Sequence, residues 1–475
     1  MATETITTIS PSTNTPILTR HGLSPSAVLA VGATASAAFK SFQSSHPTLE
    51  SRQSIVRRAL DIMKSKSAEL GAELTAQMGR PRRYVGTELA TAIKRAEYML
   101  SISSTALADS PGENEPGFRR YIQRRPVGVV LVIFAWNYPY LILVNSLIPA
   151  LLAGNALILK PSPQTPTIAE HMKSIFEHAG LPEDVIQYIH CGRPDDLKPL
   201  ILSPSINHVS FTGSTAGGLV IQQIASSRIG LTVGLELGGK DPAYLRPDID
   251  VAWAAEEIVD GAIFNSGQSC CAIERVYVHA DIHDAFIAAA RAVLATYMLG
   301  DPNDEATQIG PVVSRQAKAN IEKQITDAIA AGAKDETPPN ASFAHPAANS
   351  QGNYVAPRLL THIPPNSDAA VVRDETFGPV IPVVRVESDD EAVALMNDSS
   401  YGLTASVWTQ DVARGEALCQ RLEAGTVFVN RADYPAPDLA WTGWKDSGKG
   451  VTMGRWGFEA FVKLRSVHVK DYPKK

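Results

Sequence analysis

Apolar residues recur at three- and four-residue spacing over residues 51–79 and again over 84–107, which predicts two long helices early in the chain. A Pro/Gly/Glu loop at 110–117 follows, and residues 118–125 read as an exposed, basic strand. From residue 127 the pattern alternates. Residues 127–134, 156–159, 185–190, 208–211 and 231–237 read as short β-rich runs. Residues 141–152, 165–179, 195–202 and 219–227 between them carry helical spacing. Strands alternating with helices imply right-handed parallel crossovers and a doubly wound α/β sheet. Ligands of such sheets sit beyond the carboxyl ends of the strands. The positions to watch are therefore Asn137, Lys160, Gly213 and Glu236.

A second α/β region spans 251–408, with a Pro/Asn/Ala-rich surface loop at 336–353, and residues 461–469 alternate like a strand. The first sixteen residues hold eight Ser/Thr and no apolar core after basic residues, so they read as a frayed tail and not a signal peptide. Residues 126–159 carry no charge, long enough for a membrane span. Gly128, Asn137, Pro139, Asn145, Pro149, Gly154 and Asn155 interrupt them, so they read as strand, helix and strand.

Composition narrows the class. With 475 residues, 44% of them hydrophobic, there is material for a large core in several domains. A net charge of −6 offers no basic excess for nucleic acid and no block for a membrane surface. Four cysteines are too few for a disulfide framework, which fits a reducing, cytoplasmic setting. The end, Pro473-Lys474-Lys475, is no peroxisomal tripeptide. Residues 234–241 nearly match a phosphate loop, but Asp241 replaces the metal-holding Ser/Thr and would repel phosphate. His279 and His283 lack a third ligand nearby, so zinc is not indicated, and no Gly-x-Gly-x-x-Gly exists.

The chemistry concentrates at three places. Asn265-Ser266-Gly267-Gln268-Ser269-Cys270-Cys271 sets two thiols in a small turn. Glu236 ends an apolar strand, where a carboxylate is costly without a task or partner. Phe134-Ala135-Trp136-Asn137-Tyr138-Pro139 puts an amide donor after another strand. A thiol, a carboxylate and an amide are a nucleophile, a base and an oxyanion donor. Buried cysteines more often act as small hydrophobes, and it is the company of Glu236 and Asn137 that outweighs that reading.

These segments resemble the aldehyde dehydrogenase superfamily, from about residue 20 to the end. The resemblance extends through Lys160-Pro161-Ser162, Phe211-Thr212-Gly213-Ser214-Thr215, Glu375-Thr376-Phe377-Gly378-Pro379, Gly425–Asn430 and Lys445–Gly448. It implies a Rossmann-like cofactor domain (1–107 and 126–237), an α/β catalytic domain (238–445) and a small β oligomerisation arm (108–125 and 461–475). It implies Cys270 as nucleophile, Cys271 as bystander, Asn137 as oxyanion donor and Glu236 as the base that hydrolyses a thioester. Coenzyme-A-acylating relatives generally lack that base. NAD or NADP would lie on Phe134, Trp136, Lys160, Ser162, Gly213, Ser214, Gly218, Leu237, Gly238, Glu375 and Phe377. The arm would pair residues 118–125 with the C-terminal strand of another subunit, giving a homo-oligomer, dimer or tetramer.

Two departures matter. Pro163 stands where relatives often carry a Glu that accepts the adenosine ribose hydroxyls and repels a 2′-phosphate, so the balance shifts toward NADP. Phe264 stands where typical succinate-semialdehyde enzymes carry a carboxylate-binding Arg. Tyr138, Phe264 and Trp441, with Cys271, outline an aromatic tunnel for a semialdehyde, aliphatic or aromatic aldehyde; ordinary core packing is the competing reading. Against the dehydrogenase stand a non-catalytic member of the fold and a cofactor-independent cysteine (thio)esterase. The intact catalytic residue types oppose the first, and Gly213 and Lys160 oppose the second.

Overall fold

The computed structural model describes residues 4–192, 194–344 and 351–472; for 194 and 195 it describes the backbone alone. Part of the expected 336–353 loop and the last three residues of the chain, including the tripeptide read above, lie outside the described residues.

Two open sheets carry the molecule. The first has six strands in the order Gly448–Lys449, Thr232–Glu236, His208–Thr212, Val129–Phe134, Ala156–Pro161, Ile186–Tyr188. All neighbours are parallel except the Gly448–Lys449 edge, which pairs antiparallel with Glu236 and Leu235. Val129–Phe134 comes first in the chain, and later strands are added on both of its sides. The strand order therefore reverses between Val129–Phe134 and His208–Thr212, which opens a crevice at their carboxyl ends. The uncharged segment resolves into strand Val129–Phe134, helix Pro139–Ala153 and strand Ala156–Pro161. Pro139 sits in the first turn of that helix and Gly154 closes it at φ 92°. Among the described residues no helix is long and apolar enough to cross a membrane.

The second sheet has seven strands, in the order Lys334–Asp335, Arg358–Thr361, Val380–Val386, Ile273–His279, Asp241–Leu245, Thr404–Trp408, Thr426–Val429. Its strands pair in parallel except the exposed Lys334–Asp335 edge, which is antiparallel, and the inner strands are buried on both faces. Ala243 and Leu245 enter one core, and Tyr244 between them enters the core on the other face.

Three expectations are corrected and one unread helix is added. The N-terminal segment is not frayed: Thr5–Ile9 and Pro16–His21 form an antiparallel hairpin. Ile6 and Thr8 are buried on alternate positions, Thr8 Oγ1 donates to Pro163 O at 2.8 Å, and Arg20 grips both Glu170 oxygens at 2.7 and 2.9 Å. Polar composition hid a segment whose order comes from tertiary partners. Second, residues 51–79 are two helices, Leu49–Ser65 and Ser67–Met78, broken at Lys66. Third, helix Pro25–Ser45 escaped the reading because Ala and Ser fill it; Ser24 caps it by accepting from Ala27 N. Fourth, Phe118–Pro126 pairs antiparallel with Val462–Lys470 of the same chain, from Phe118↔Lys470 to Pro126↔Val462, and not with another subunit's strand. The third strand, Ser110–Pro111, lies on the far side of Phe118–Pro126.

Candidate active site

Helix Val251–Ile263 runs into a turn in which Asn265, Ser266 and Gly267 all have positive φ (53°, 60° and 70°). Such backbone is costly for non-glycine residues and is held by its surroundings. Asn265 Nδ2 donates to Gln268 O at 3.2 Å and to Asn137 O at 3.4 Å, and Asn265 Oδ1 accepts from Arg80 Nε at 3.2 Å. Ser266 Oγ donates to Gly310 O at 2.9 Å. A Cβ on Gly267 would lie 2.2 Å from Gly378 O, so only glycine lets this turn close onto residues 378–379.

The turn separates the two thiols. Cys271 is buried and donates to Asp433 Oδ1 at 2.9 Å. Its hydrogen bond with Cys270, burial and the Asp433 carboxylate push its thiol up, which keeps it protonated and inert. Burial raises Asp433 itself to about 6. Cys270 is half-buried and faces open space.

Glu236 ends strand Thr232–Glu236. Its two oxygens accept from the Thr212 Oγ1 hydroxyl at 3.2 Å and from Thr452 Oγ1. Burial raises the carboxyl above the ordinary carboxylate range, and the Thr452 and Thr212 hydroxyls pull it partly back. Asn137 lies just past strand Val129–Phe134, and its Nδ2 donates to Gln268 O at 3.3 Å, next to the nucleophile turn.

Two cavities meet here. One, of about 410 Å³, opens at the crevice of the six-stranded sheet. The other, of about 250 Å³, lies on the opposite side of Cys270. Six residues line both: Asn137, Ile142, Thr212, Glu236, Leu237 and Cys270.

The larger cavity takes in Phe134, Trp136, Lys160, Ser162, Gly213, Ser214, Leu237, Gly238, Glu375 and Phe377. Gly218 does not line it. A Cβ there would meet Leu237 Cδ2 at 2.5 Å, so Gly218 allows close helix–strand packing while Gly217 faces the cavity. Ser214 caps helix Thr215–Ala225 by accepting from Gly217 N at 3.2 Å, leaving a helix N-terminus at the crevice.

These residues fit a dinucleotide. The Lys160 side chain is buried at the strand end with no hydrogen-bond partner among the described residues, so it is free to meet ribose or phosphate oxygens. Burial lowers its ammonium, and Cys191, Asp196 and Glu4 offset part of that. Gly238 leaves room where a Cβ would strike the Glu375 carboxylate at 2.5 Å. Glu375 accepts from Gly239 N at 3.1 Å and is held up to about 8 by burial and by Glu274.

Glu274 is a residue the sequence did not announce. It accepts from Thr376 N and Phe377 N at 2.8 Å each and from Lys240 Nζ at 2.7 Å, which holds the 375–377 turn against the cavity. Trp136 meets the Phe377 ring edge-on at 5.6 Å.

All four expected substrate-side residues, Tyr138, Phe264, Cys271 and Trp441, line the smaller cavity. Arg80 stacks over the Tyr138 ring at 4.3 Å, and Tyr84 meets Phe264 at 4.9 Å. The structure adds Arg80, Glu88, Arg95, Asn145, Asp433 and Tyr434 to this wall. A signal for two of them was present. Glu88 and Arg95, seven residues apart, share the buried face of helix Arg82–Ala106 with Leu89, Ala92, Ala96 and Met99.

Comparison with known proteins agrees with this geometry. The model of the aldehyde dehydrogenase family matches residues 1–467. The chain is 33% identical over 425 residues to 3,6-anhydro-alpha-L-galactose dehydrogenase of Streptomyces coelicolor, covering 88% of this chain and 84% of that protein. It is 31% identical over 466 residues to succinate-semialdehyde dehydrogenase [NADP(+)] of Mycolicibacterium paratuberculosis, covering 98% and 96%. Among solved structures, betaine aldehyde dehydrogenase of Staphylococcus aureus in complex with NAD+ matches at TM-score 0.91 and 28% identity, over 99% of this chain and 93% of that one. With its thiol, carboxylate and amide gathered where two cavities meet, the chain belongs to the aldehyde dehydrogenase family and is an NAD(P)-dependent aldehyde dehydrogenase.

Proposed function

We propose that Cys270, Glu236 and Asn137 carry aldehyde oxidation to the free acid through a thioester on Cys270. The supporting observation is that all three line both cavities, so one reacting carbon can face the cofactor side and the substrate side together. Cys270 Sγ attacks the aldehyde carbon and forms a thiohemiacetal. The Asn137 amide and the Cys270 backbone N–H hold the oxyanion. The larger cavity would hold a nicotinamide dinucleotide, which when bound would supply the oxidant that takes the hydride from the thiohemiacetal carbon and leaves a thioester on Cys270. Lys160, Ser214 and Glu375 would orient it, and Gly238 would let it approach. Glu236 then takes a proton from water as the water attacks the thioester, and the acid leaves.

Glu236→Gln should give a burst of reduced cofactor near one per site, then little turnover, with an acyl adduct on Cys270 by mass spectrometry. Cys270→Ala should abolish turnover while cofactor affinity and fold persist. A dead Cys271→Ala beside an active Cys270→Ala would overturn the assignment.

A homo-oligomer in the cytoplasm completes the proposal. Only four cysteines in 475 residues, too few for a disulfide framework, support the reducing compartment. Among the described residues no strand lies beside the outer edge of Val462–Lys470, and Leu464 there is 61% exposed. An uncovered edge of this kind favours a second copy. Sedimentation at micromolar concentration should show a dimer or larger; a 51.0 kDa species alone would refute it.

A further inference from the structure

We infer that the aldehydes this enzyme prefers carry a carboxylate at the end remote from the reacting carbon, and that Arg95 receives it. The inference rests on the proposed function, because the cavity concerned is the one on the substrate side of Cys270.

Three carboxylates and two guanidiniums line that cavity. Each carboxylate has hydrogen-bond partners, and of the three only Glu88 has a cationic one. Glu88 accepts from Arg80 and, at 3.0 Å, from Tyr140 N. Glu236 is taken by the Thr212 and Thr452 hydroxyls. Asp433 accepts from Ser269 Oγ at 2.8 Å and from Cys271 Sγ. Arg80 is the partner of Glu88. That leaves Arg95, which is 6% exposed and has no carboxylate within ion-pair distance among the described residues. Among the described residues its buried Nε–H has no hydrogen-bond partner.

Arg95 feels the Glu236 charge across the cavity but has no carboxylate close enough to pair with directly, and a buried guanidinium left without a direct partner is costly. Arg95 is also held in place. Its Nη1 donates to Asn145 Oδ1 at 3.0 Å and to Leu141 O at 3.4 Å, and its Nη2 donates to Pro435 O at 3.4 Å. These neutral acceptors orient the fork without cancelling its charge. A planar fork with spare donors suits a carboxylate, while a phosphate dianion would call for more than one free cation.

The rest of the wall is apolar or aromatic: Tyr84, Leu141, Ile142, Phe264 and Trp441. The cavity, about 250 Å³, suits a short aliphatic or single-ring body between aldehyde and carboxylate. Arg95 rises from helix Arg82–Ala106, away from the nucleophile turn where Phe264 replaces the arginine of typical succinate-semialdehyde enzymes. The same charge is thus delivered from a different element. Oxidation of such a substrate consumes one water and one NAD(P)+ and releases a dicarboxylate, NAD(P)H and two protons.

The test compares matched pairs: succinate semialdehyde with butanal, and 4-carboxybenzaldehyde with benzaldehyde. In the wild type, kcat/KM for the carboxylated member should exceed its uncharged partner by about tenfold or more in at least one pair. Arg95→Gln should lower that ratio by about tenfold or more, chiefly through KM, and Arg95→Lys should retain part of it. Because Arg95→Gln removes a buried charge and could fail to fold, a wild-type measurement stands beside it. Succinate should inhibit butanal oxidation competitively, and succinamide, of the same shape without charge, should not. Preference for the uncharged member in both pairs, a ratio unmoved by Arg95→Gln, or equal inhibition by the two compounds would overturn the inference while leaving aldehyde oxidation standing. If no aldehyde of either kind reduces the cofactor, the proposed function itself fails.

Discussion

Glu236 shows how one side chain can be tuned by its neighbours. Burial raises its carboxyl, and two threonine hydroxyls pull it back. A base must be ionised to work, so thioester hydrolysis should fall as pH drops through this raised value, above the usual carboxylate range of about 4. Removing a hydroxyl that favours the ionised form moves the fall to higher pH. For Thr452→Val a displacement of about one unit is expected, since a hydrogen bond to a charged group is worth roughly 1.5–3 kcal/mol. Rapid-quench measurement of deacylation from pH 5 to 8 checks this, and an acid limb in the same place for both proteins would exclude the hydroxyl's role. At the same scale, the adjacent thiols differ only in surroundings. Cys271 is tied to Asp433, and Cys270 is left beside the cavities.

At the scale of elements, the N-terminal hairpin alters the cofactor site it leans on. It carries Thr8 to Pro163 and brings Glu4 close enough to act on Lys160. On the resemblance to the family, Pro163 would remove an acceptor for ribose hydroxyls and a repulsion for a 2′-phosphate. Glu4 restores part of the negative charge from another segment. Pro163→Glu should therefore shift the NADP/NAD ratio of kcat/KM toward NAD by about tenfold or more. Glu4→Gln should shift it the other way. Steady-state kinetics with both cofactors decides, and a ratio that neither substitution moves would remove both residues from cofactor choice. On the other sheet, the buried Lys240–Glu274 pair does comparable positioning, since Glu274 holds the backbone of Thr376 and Phe377.

For the whole molecule, His208 links the cofactor sheet to the C-terminal segment. It is buried in strand His208–Thr212, shares a hydrogen bond with Thr232 Oγ1 at 2.7 Å and meets the Phe461 ring edge-on at 5.4 Å. Burial lowers its imidazole to about 4. The unfolded chain takes up a proton near pH 6.5 that the folded chain refuses. The stability that neutral His208 contributes is thus complete above about 6.5 and is lost as pH falls toward 4, at most about 3 kcal/mol. Urea unfolding should show this slope between pH 6.5 and 4, and His208→Asn should flatten it. An equal slope in both proteins would assign the loss to other groups.

The alternating strands and helices of 127–237, the crevice at their ends, and the placing of Cys270, Glu236 and Asn137 were legible along the chain. All but Cys270 rest on local periodicity or on a residue at or just past a strand end, and Cys270 rests on its own short turn and on a resemblance to a known family; such features survive without knowledge of distant partners. What the chain could not disclose depends on contacts between remote segments. The hairpin at 5–21 looks like a polar tail until Pro163 and Glu170 meet it. Two exposed strands, 118–126 and 462–470, look available to another subunit until folding pairs them with each other. Gly218 belongs to packing, and its neighbour Gly217 to the cavity, because the helix sets which one faces Leu237. Arg95 looks like one more charge on a helix until folding sets it in the cavity wall with no carboxylate within ion-pair distance among the described residues, a condition that only the assembled cavity can set.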